Sequence, residues 1–109
     1  MGKEWKDWLS DKELFSSVYF GFRSLGKERL DEFAYNILEE FSEDTCEDSF
    51  NRNIANDLLI LNKSINGEEF NQDYVFVIDT FENEGIFRPN QETVEQFISK
   101  LEKWTGISF

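Results

Sequence analysis

The stretch LDEFAYNILEEF, residues 30 to 41, carries apolar side chains at the spacing of one face of an α-helix. These side chains follow the i, i+3, i+4, i+7 pattern, and polar residues fill most of the positions between them. They are Leu30, Phe33, Ala34, Ile37, Leu38 and Phe41. We predict an amphipathic helix from about residue 27 to 42, beginning after Gly26, with this apolar face buried in a core.

Three other segments show helical spacing on either side of this stretch. Ser10 opens the sequence Ser-Asp-Lys-Glu, a capping box in which the first and fourth side chains each bond the other's backbone N–H. Ser49 and Asn90 are suited to cap two later helices, and Gly106 is suited to end the last one. The predicted helices cover about residues 11 to 24, 49 to 63 and 91 to 104.

One segment has the composition of a β-strand. Tyr74-Val75-Phe76-Val77-Ile78 is rich in β-branched and aromatic residues and is bounded by polar clusters. A strand needs a partner for its backbone N–H and C=O groups. The candidates for that partner are residues 86 to 87, residues 107 to 109, and residues 15 to 22, which could form either a strand or a helix.

These segments together predict the fold class. The short apolar run Leu58-Leu59-Ile60-Leu61 could also be a buried strand, although its spacing favours a helix. We therefore predict an α+β domain in which about four helices pack around a small sheet that contains residues 74 to 79.

Length and composition indicate a single cytosolic domain. A chain of 109 residues is long enough for one hydrophobic core and too short for two, so we expect one domain spanning residues 1 to 109. The opening MGKEWKDWLS lacks an apolar leader, and no apolar run approaches the roughly 18 residues of a membrane span. The single cysteine, Cys46, cannot form an internal disulfide, which fits a reducing compartment.

Charge is the most unusual property of the sequence. The formal net charge is -12, which opposes binding to nucleic acid or to anionic lipid and favours a basic partner. Six carboxylates lie within ten positions, and no lysine or arginine occurs between Leu30 and Asn51. These six are the predicted partner-binding residues: Glu39, Glu40, Glu43, Asp44, Glu47 and Asp48.

The position of this acidic run argues against a role in stability alone, although a solvated face that keeps the protein soluble is the competing interpretation. Its first four acids lie at or just past the predicted end of a helix, where the macrodipole is negative and each acid costs roughly 0.3 to 1 kcal/mol. Glu47 and Asp48 precede the next predicted helix, where negative charge is favourable.

A second stretch without basic residues runs between Lys63 and Arg88. We expect it to support binding, together with Tyr35, an aromatic residue on the polar side of the strongest predicted helix, for which packing in the core is the competing interpretation. Aromatic side chains carry much of the affinity of protein interfaces, whereas exposed ion pairs contribute little. The secondary candidates are Tyr35, Glu68, Glu69, Asp73, Asp79, Glu82 and Glu84.

Residues that carry common chemistry are missing from the sequence. There is no histidine, and Cys46 stands among acids that disfavour a reactive thiolate. The sequence contains neither a phosphate-binding glycine loop nor the alternating acids and central glycine of an EF-hand. We predict no catalytic residue, no metal site and no cofactor.

Three segments, YFGFRSL, LDEFAYNILEE and PNQETVEQFISKLEKWTGISF, resemble parts of the immunity proteins that bacteria pair with contact-dependent growth-inhibition toxins. The resemblance implies a cytosolic inhibitor that binds the toxic C-terminal domain of a cognate effector, often a nuclease, with no direct contact to nucleic acid or membrane. We expect a 1:1 complex that covers the active site of the toxin or blocks its substrate from an adjacent surface. The alternative is an acidic adaptor, or a nucleic-acid mimic that inhibits a DNA-handling protein.

Overall fold

The computed structural model describes residues 12 to 43, 45 to 67 and 72 to 109, with side chains from residue 17 onward in these ranges. The described residues form five α-helices and no β-strand. The predicted α+β class is therefore wrong, because this part of the chain is helical. The helices are α1 (Lys12–Ser24), α2 (Lys27–Glu40), α3 (Cys46–Ile65), α4 (Gln72–Asn83) and α5 (Val94–Thr105).

The predicted strand at residues 74 to 79 is the main error, since these residues lie within α4. In a strand, Phe76 would share a face with Tyr74 and Ile78. Phe76 is instead 68% exposed, whereas Tyr74, Val77 and Ile78 are fully buried. Together with buried Phe81, these three residues follow the i, i+3, i+4, i+7 spacing of a helix. The spacing overrides the β-propensity of the individual residues.

The other candidate strand segments are helical or irregular. Residues 15 to 22 lie in α1, and the run from Leu58 to Leu61 lies in α3. Ile86 and Phe87 belong to the irregular connection between α4 and α5, where both side chains are buried against the core. Residues 107 to 109 are irregular as well, and the ring of Phe109 packs on Phe33 of α2 with the ring centroids 5.3 Å apart.

Two predicted helix starts are displaced by a few residues. Helix α3 begins earlier than predicted because Thr45, rather than Ser49, caps it by accepting a hydrogen bond from the Asp48 N–H. Helix α5 begins later because Thr93, rather than Asn90, forms a capping box with Gln96. The predicted stop at Gly106 is confirmed, since this residue is the C-cap of α5 and adopts the left-handed conformation.

Remaining helix boundaries agree with the sequence to within a few residues. Helix α2 follows the predicted 27 to 42 closely, ending at Glu40. Helix α1 ends at Ser24 as predicted, and the predicted capping box at Ser10 lies outside the described residues. No helix in the described part of the chain combines the length and apolar character needed to cross a membrane.

Helices α2 and α3 pack side by side in opposite directions. The side chain of Asn62, near the end of α3, donates hydrogen bonds to the Lys27 carbonyl at 2.9 Å and to Asp31 Oδ1 at 2.7 Å, near the start of α2. Because Asn62 is buried, leaving these donors unpaired would cost roughly 1 to 3 kcal/mol. The arrangement brings the end of α2 and the start of α3 to the same end of the molecule.

Helix α4 lies along the second half of α3. At its start, the ring of Tyr74 packs on Tyr19 of α1, and Tyr19 donates its hydroxyl to the carbonyl of Ile65, the last residue of α3. Helix α5 packs across α1, where Gly21 faces Val94 so closely that a Cβ on Gly21 would come within 2.8 Å of Val94 Cγ2. Buried residues from all five helices form one hydrophobic core.

Candidate protein-binding surface

Four acids of the first predicted set lie together where α2 passes into α3. Glu39 and Glu40 are exposed in the last turn of α2, Glu43 is exposed in the connection, and Glu47 is exposed in the first turn of α3. We call these four residues the acidic corner. Asp44 lies outside the described residues.

Asp48 differs from the acidic corner in its surroundings. It is half-buried in the first turn of α3, and its backbone N–H donates to the cap residue Thr45 at 3.0 Å. Negative charge at this end of a helix is favourable, because the first N–H groups of the helix point toward it. Asp48 and Glu47 therefore have a structural role that Glu39 and Glu40 lack.

The acids of the acidic corner form no ion pair with the cations that the structure describes. No lysine or arginine whose side chain the structure describes lies within ion-pair distance of these four acids. Helix α2 also ends without a basic residue in its last turn, so the dipole opposes the charges of Glu39 and Glu40. This surface therefore carries negative charge that no described cation pairs, and such a charge distribution favours encounter with basic molecules.

An exposed aromatic pair lies beside the acidic corner. The rings of Phe50 in α3 and Trp104 in α5 are 6.2 Å apart between centroids, and the two residues are 43% and 46% exposed. We call Phe50 and Trp104 the aromatic pair. Because Glu47 lies one helical turn before Phe50, the acidic corner and the aromatic pair are continuous on α3.

The sequence did not identify the aromatic pair as functional. Both residues fit the apolar spacing of their helices, and the sequence therefore predicts that they point into the core. Phe50 lies near the start of α3 and Trp104 lies in the last turn of α5. Apolar spacing alone does not signal their exposure, because it does not show how far the neighbouring helices extend.

Among the described cations, Lys100 contacts a ring of the aromatic pair, and it already forms an ion pair within the chain. Its Nζ forms an ion pair with Glu92 Oε1 at 3.0 Å and lies 5.6 Å from the centroid of the Trp104 ring. The ion pair directs Lys100 toward the start of α5 rather than toward the acidic corner. The contact also demonstrates that a cation can approach the Trp104 ring.

The second acidic stretch is placed apart from the first. Asp73, Asp79 and Glu82 lie in α4, and Glu84 follows its last residue by one position. Glu84 is close enough to Asp57 of α3 to affect its ionisation. Asp57 lies ten residues along α3 from Glu47, which is about 15 Å at the helical rise. Glu68 and Glu69 are outside the described residues.

Asp57 was not identified from the sequence, and its carboxyl is destabilised in the folded protein. Burial raises the pKa of Asp57 above its ordinary value, and the negative charge of Glu84 raises this pKa further. A raised pKa in the folded state means that the unfolded chain loses this proton first as the pH rises. The contribution of Asp57 to stability is therefore fully present when the pH is below the pKa that Asp57 has in the unfolded chain. It is lost as the pH rises through the higher pKa that Asp57 has in the folded protein.

We therefore expect Asp57→Asn to stabilise the protein at neutral pH by at least about 0.3 kcal/mol, the scale of a repulsion between like charges on helices. The gain should fade as the pH falls below the ordinary pKa of an aspartate. At such a pH, Asp57 of the wild type is protonated in both the folded and the unfolded state. Urea unfolding at neutral pH and near pH 3 measures the difference. An equal gain at both pH values would contradict the assigned cause, and Glu84→Gln should reproduce part of the neutral-pH effect.

Tyr35 is exposed on α2. It lines a groove of about 430 Å³ between α2 and α3, together with Lys27 and Lys63. Tyr35 is also one helical turn before Glu39, so it borders the acidic corner on its α2 side. The two lysines make the groove itself less suited to a basic partner than the corner.

The described carboxylates do not gather into a group of three or more side chains that could hold a metal ion. Comparisons of this chain with protein-family models, with curated proteins and with solved structures give no match. The acidic corner and the aromatic pair together form the candidate binding surface. That surface combines uncompensated acids with exposed aromatic rings, and both features are typical of protein-binding sites.

Proposed function

We propose that the protein is an immunity-type inhibitor that binds a basic bacterial toxin domain in a 1:1 complex in the cytosol. The observation that carries the proposal is the acidic corner. Its four acids are exposed and unpaired with the described cations, and two of them end a helix whose dipole disfavours them. Because helix stability would favour lysine or arginine at that end, we attribute Glu39 and Glu40 to recognition of a basic partner.

A nuclease is the toxin class that fits this surface best. A nuclease must present lysine and arginine side chains to the phosphates of its substrate. An acidic protein can occupy those side chains, either over the active site or beside it, and so exclude the substrate. Electrostatic steering would also speed the encounter, by roughly 10- to 1000-fold relative to an uncharged surface.

Co-expression with the product of the reading frame directly upstream tests the proposal. We expect this product to be toxic alone, to be neutralised by the protein, and to elute with it as a 1:1 complex. Nuclease activity of the purified product should fall to zero at one molar equivalent. Absence of both rescue and complex formation would contradict the immunity function.

The same experiment distinguishes the alternative. An acidic adaptor or nucleic-acid mimic would bind a DNA-handling protein of the host, and its loss would not expose the cell to a toxin from the neighbouring gene.

A further inference from the structure

The aromatic pair is poorly explained by packing within the chain. Buried aromatic residues fill the core, where Phe97 packs on Phe22, Phe81 and Phe87 with ring centroids 4.8 to 6.1 Å apart. Phe50 and Trp104 contact each other but leave nearly half of each residue in water. Large rings that are half exposed and adjacent are the kind of residue that anchors a protein interface.

The surroundings of the aromatic pair select a cationic group. Glu47 lies one turn before Phe50 on α3, so a cation on the rings would also be within reach of a carboxylate. The described lysine that contacts Trp104 is held by Glu92 and does not neutralise the acidic corner. Because Lys100 already lies over the Trp104 ring, the ring of the pair that no described cation contacts is that of Phe50, which is next to the acidic corner.

Arginine suits this arrangement better than lysine. The guanidinium group is planar, stacks on aromatic faces, and still presents N–H donors at its edge to a carboxylate. It is also more weakly hydrated than an ammonium group, so less free energy is lost when it leaves water. A lysine would gain the charge interaction but little of the stacking.

We infer that Phe50 and Trp104 form the anchor of the interface and receive an arginine side chain of the basic partner, with Glu47 pairing its guanidinium group. The inference rests on the proposed function, because it assigns chemistry to the same surface. It adds that the site discriminates between the two basic side chains, which a purely electrostatic surface does not do.

Binding of two peptides of equal charge tests the inference, with nona-arginine and nona-lysine as the probes. Titration at low ionic strength can be followed through a dye on Cys46, the single cysteine of the chain, which is exposed at the start of α3 beside the surface. We expect nona-arginine to bind about two- to fivefold more tightly, the size of one exposed cation–π contact. In Phe50→Leu and Trp104→Leu this preference should disappear, while nona-lysine binds as before.

Phe76→Leu is the matched control, because Phe76 is an exposed aromatic residue on a different acidic helix. It should keep the preference for nona-arginine. Equal affinity of the wild type for the two peptides, or a preference that survives both aromatic-pair variants or vanishes in Phe76→Leu, would overturn the inference. Failure of the wild type to bind either peptide would contradict the assignment of the acidic corner as a binding site for basic partners, and with it the proposed function.

Discussion

Val77→Asp is expected to unfold the protein, whereas Phe76→Asp should leave it folded. Val77 is fully buried on α4, and a carboxylate there would lose its hydration without gaining a partner. The resulting cost of several kcal/mol is comparable to the entire stability of an ordinary domain, about 5 to 15 kcal/mol. Phe76 is 68% exposed, so the same substitution one position earlier changes the stability by less than about 1 kcal/mol.

Circular dichroism during thermal unfolding measures this contrast. The wild type and Phe76→Asp should lose helical signal in one cooperative transition at similar temperatures, and Val77→Asp should lack that transition. The pair is diagnostic for α4, because a strand would place Phe76 on the same face as Tyr74 and Ile78. Strong destabilisation by Phe76→Asp would contradict the helical assignment of residues 72 to 83.

The second large effect concerns the rate of association with a basic partner. Replacing Glu39, Glu40 and Glu43 together with glutamine should slow association about tenfold at low ionic strength, because these acids supply the local field that guides the encounter. The difference should shrink as salt is added, since exposed charges are screened within about 10 Å at 0.1 M. Stopped-flow measurements over a range of salt concentrations give both quantities.

The matched control removes the same charge from elsewhere on the surface. Glu28, Glu32 and Glu95 are exposed acids outside the acidic corner, so their combined replacement with glutamine also changes the formal net charge from -12 to -9. We expect this control to slow association by less than about threefold. Equal slowing by the two triple variants would mean that net charge, and not the acidic corner, determines the rate.

The sequence predicted most helices because their apolar residues repeat over several turns. Helix α2 is clear for this reason, and its spacing alone locates it to within two residues. The run from Tyr74 to Ile78 is too short to separate a helix from a strand by its spacing, and its β-branched and aromatic residues favour a strand. Extending it to Phe81 completes the helical repeat and leaves Phe76 outside it.

The acids of the candidate surface could be identified from the sequence, but its aromatic residues could not. The acids from Glu39 to Asp48 lie close together in the sequence. Those at the C-terminal end of a helix are noticeable because the helix dipole disfavours negative charge there. Phe50 and Trp104 are 54 positions apart and become neighbours only because α3 and α5 meet at one end of the molecule. The proximity of Glu84 to Asp57 likewise depends on how α4 packs along α3.

Hydrogen exchange of the complex with the basic toxin domain tests the central claim most directly. The account predicts that binding slows amide exchange from residue 39 to residue 50 and around Trp104, and leaves α4 unchanged. Protection confined to residues 72 to 83, or to the groove beside Tyr35, would contradict the assignment of the interface to the end of the molecule where α2 meets α3.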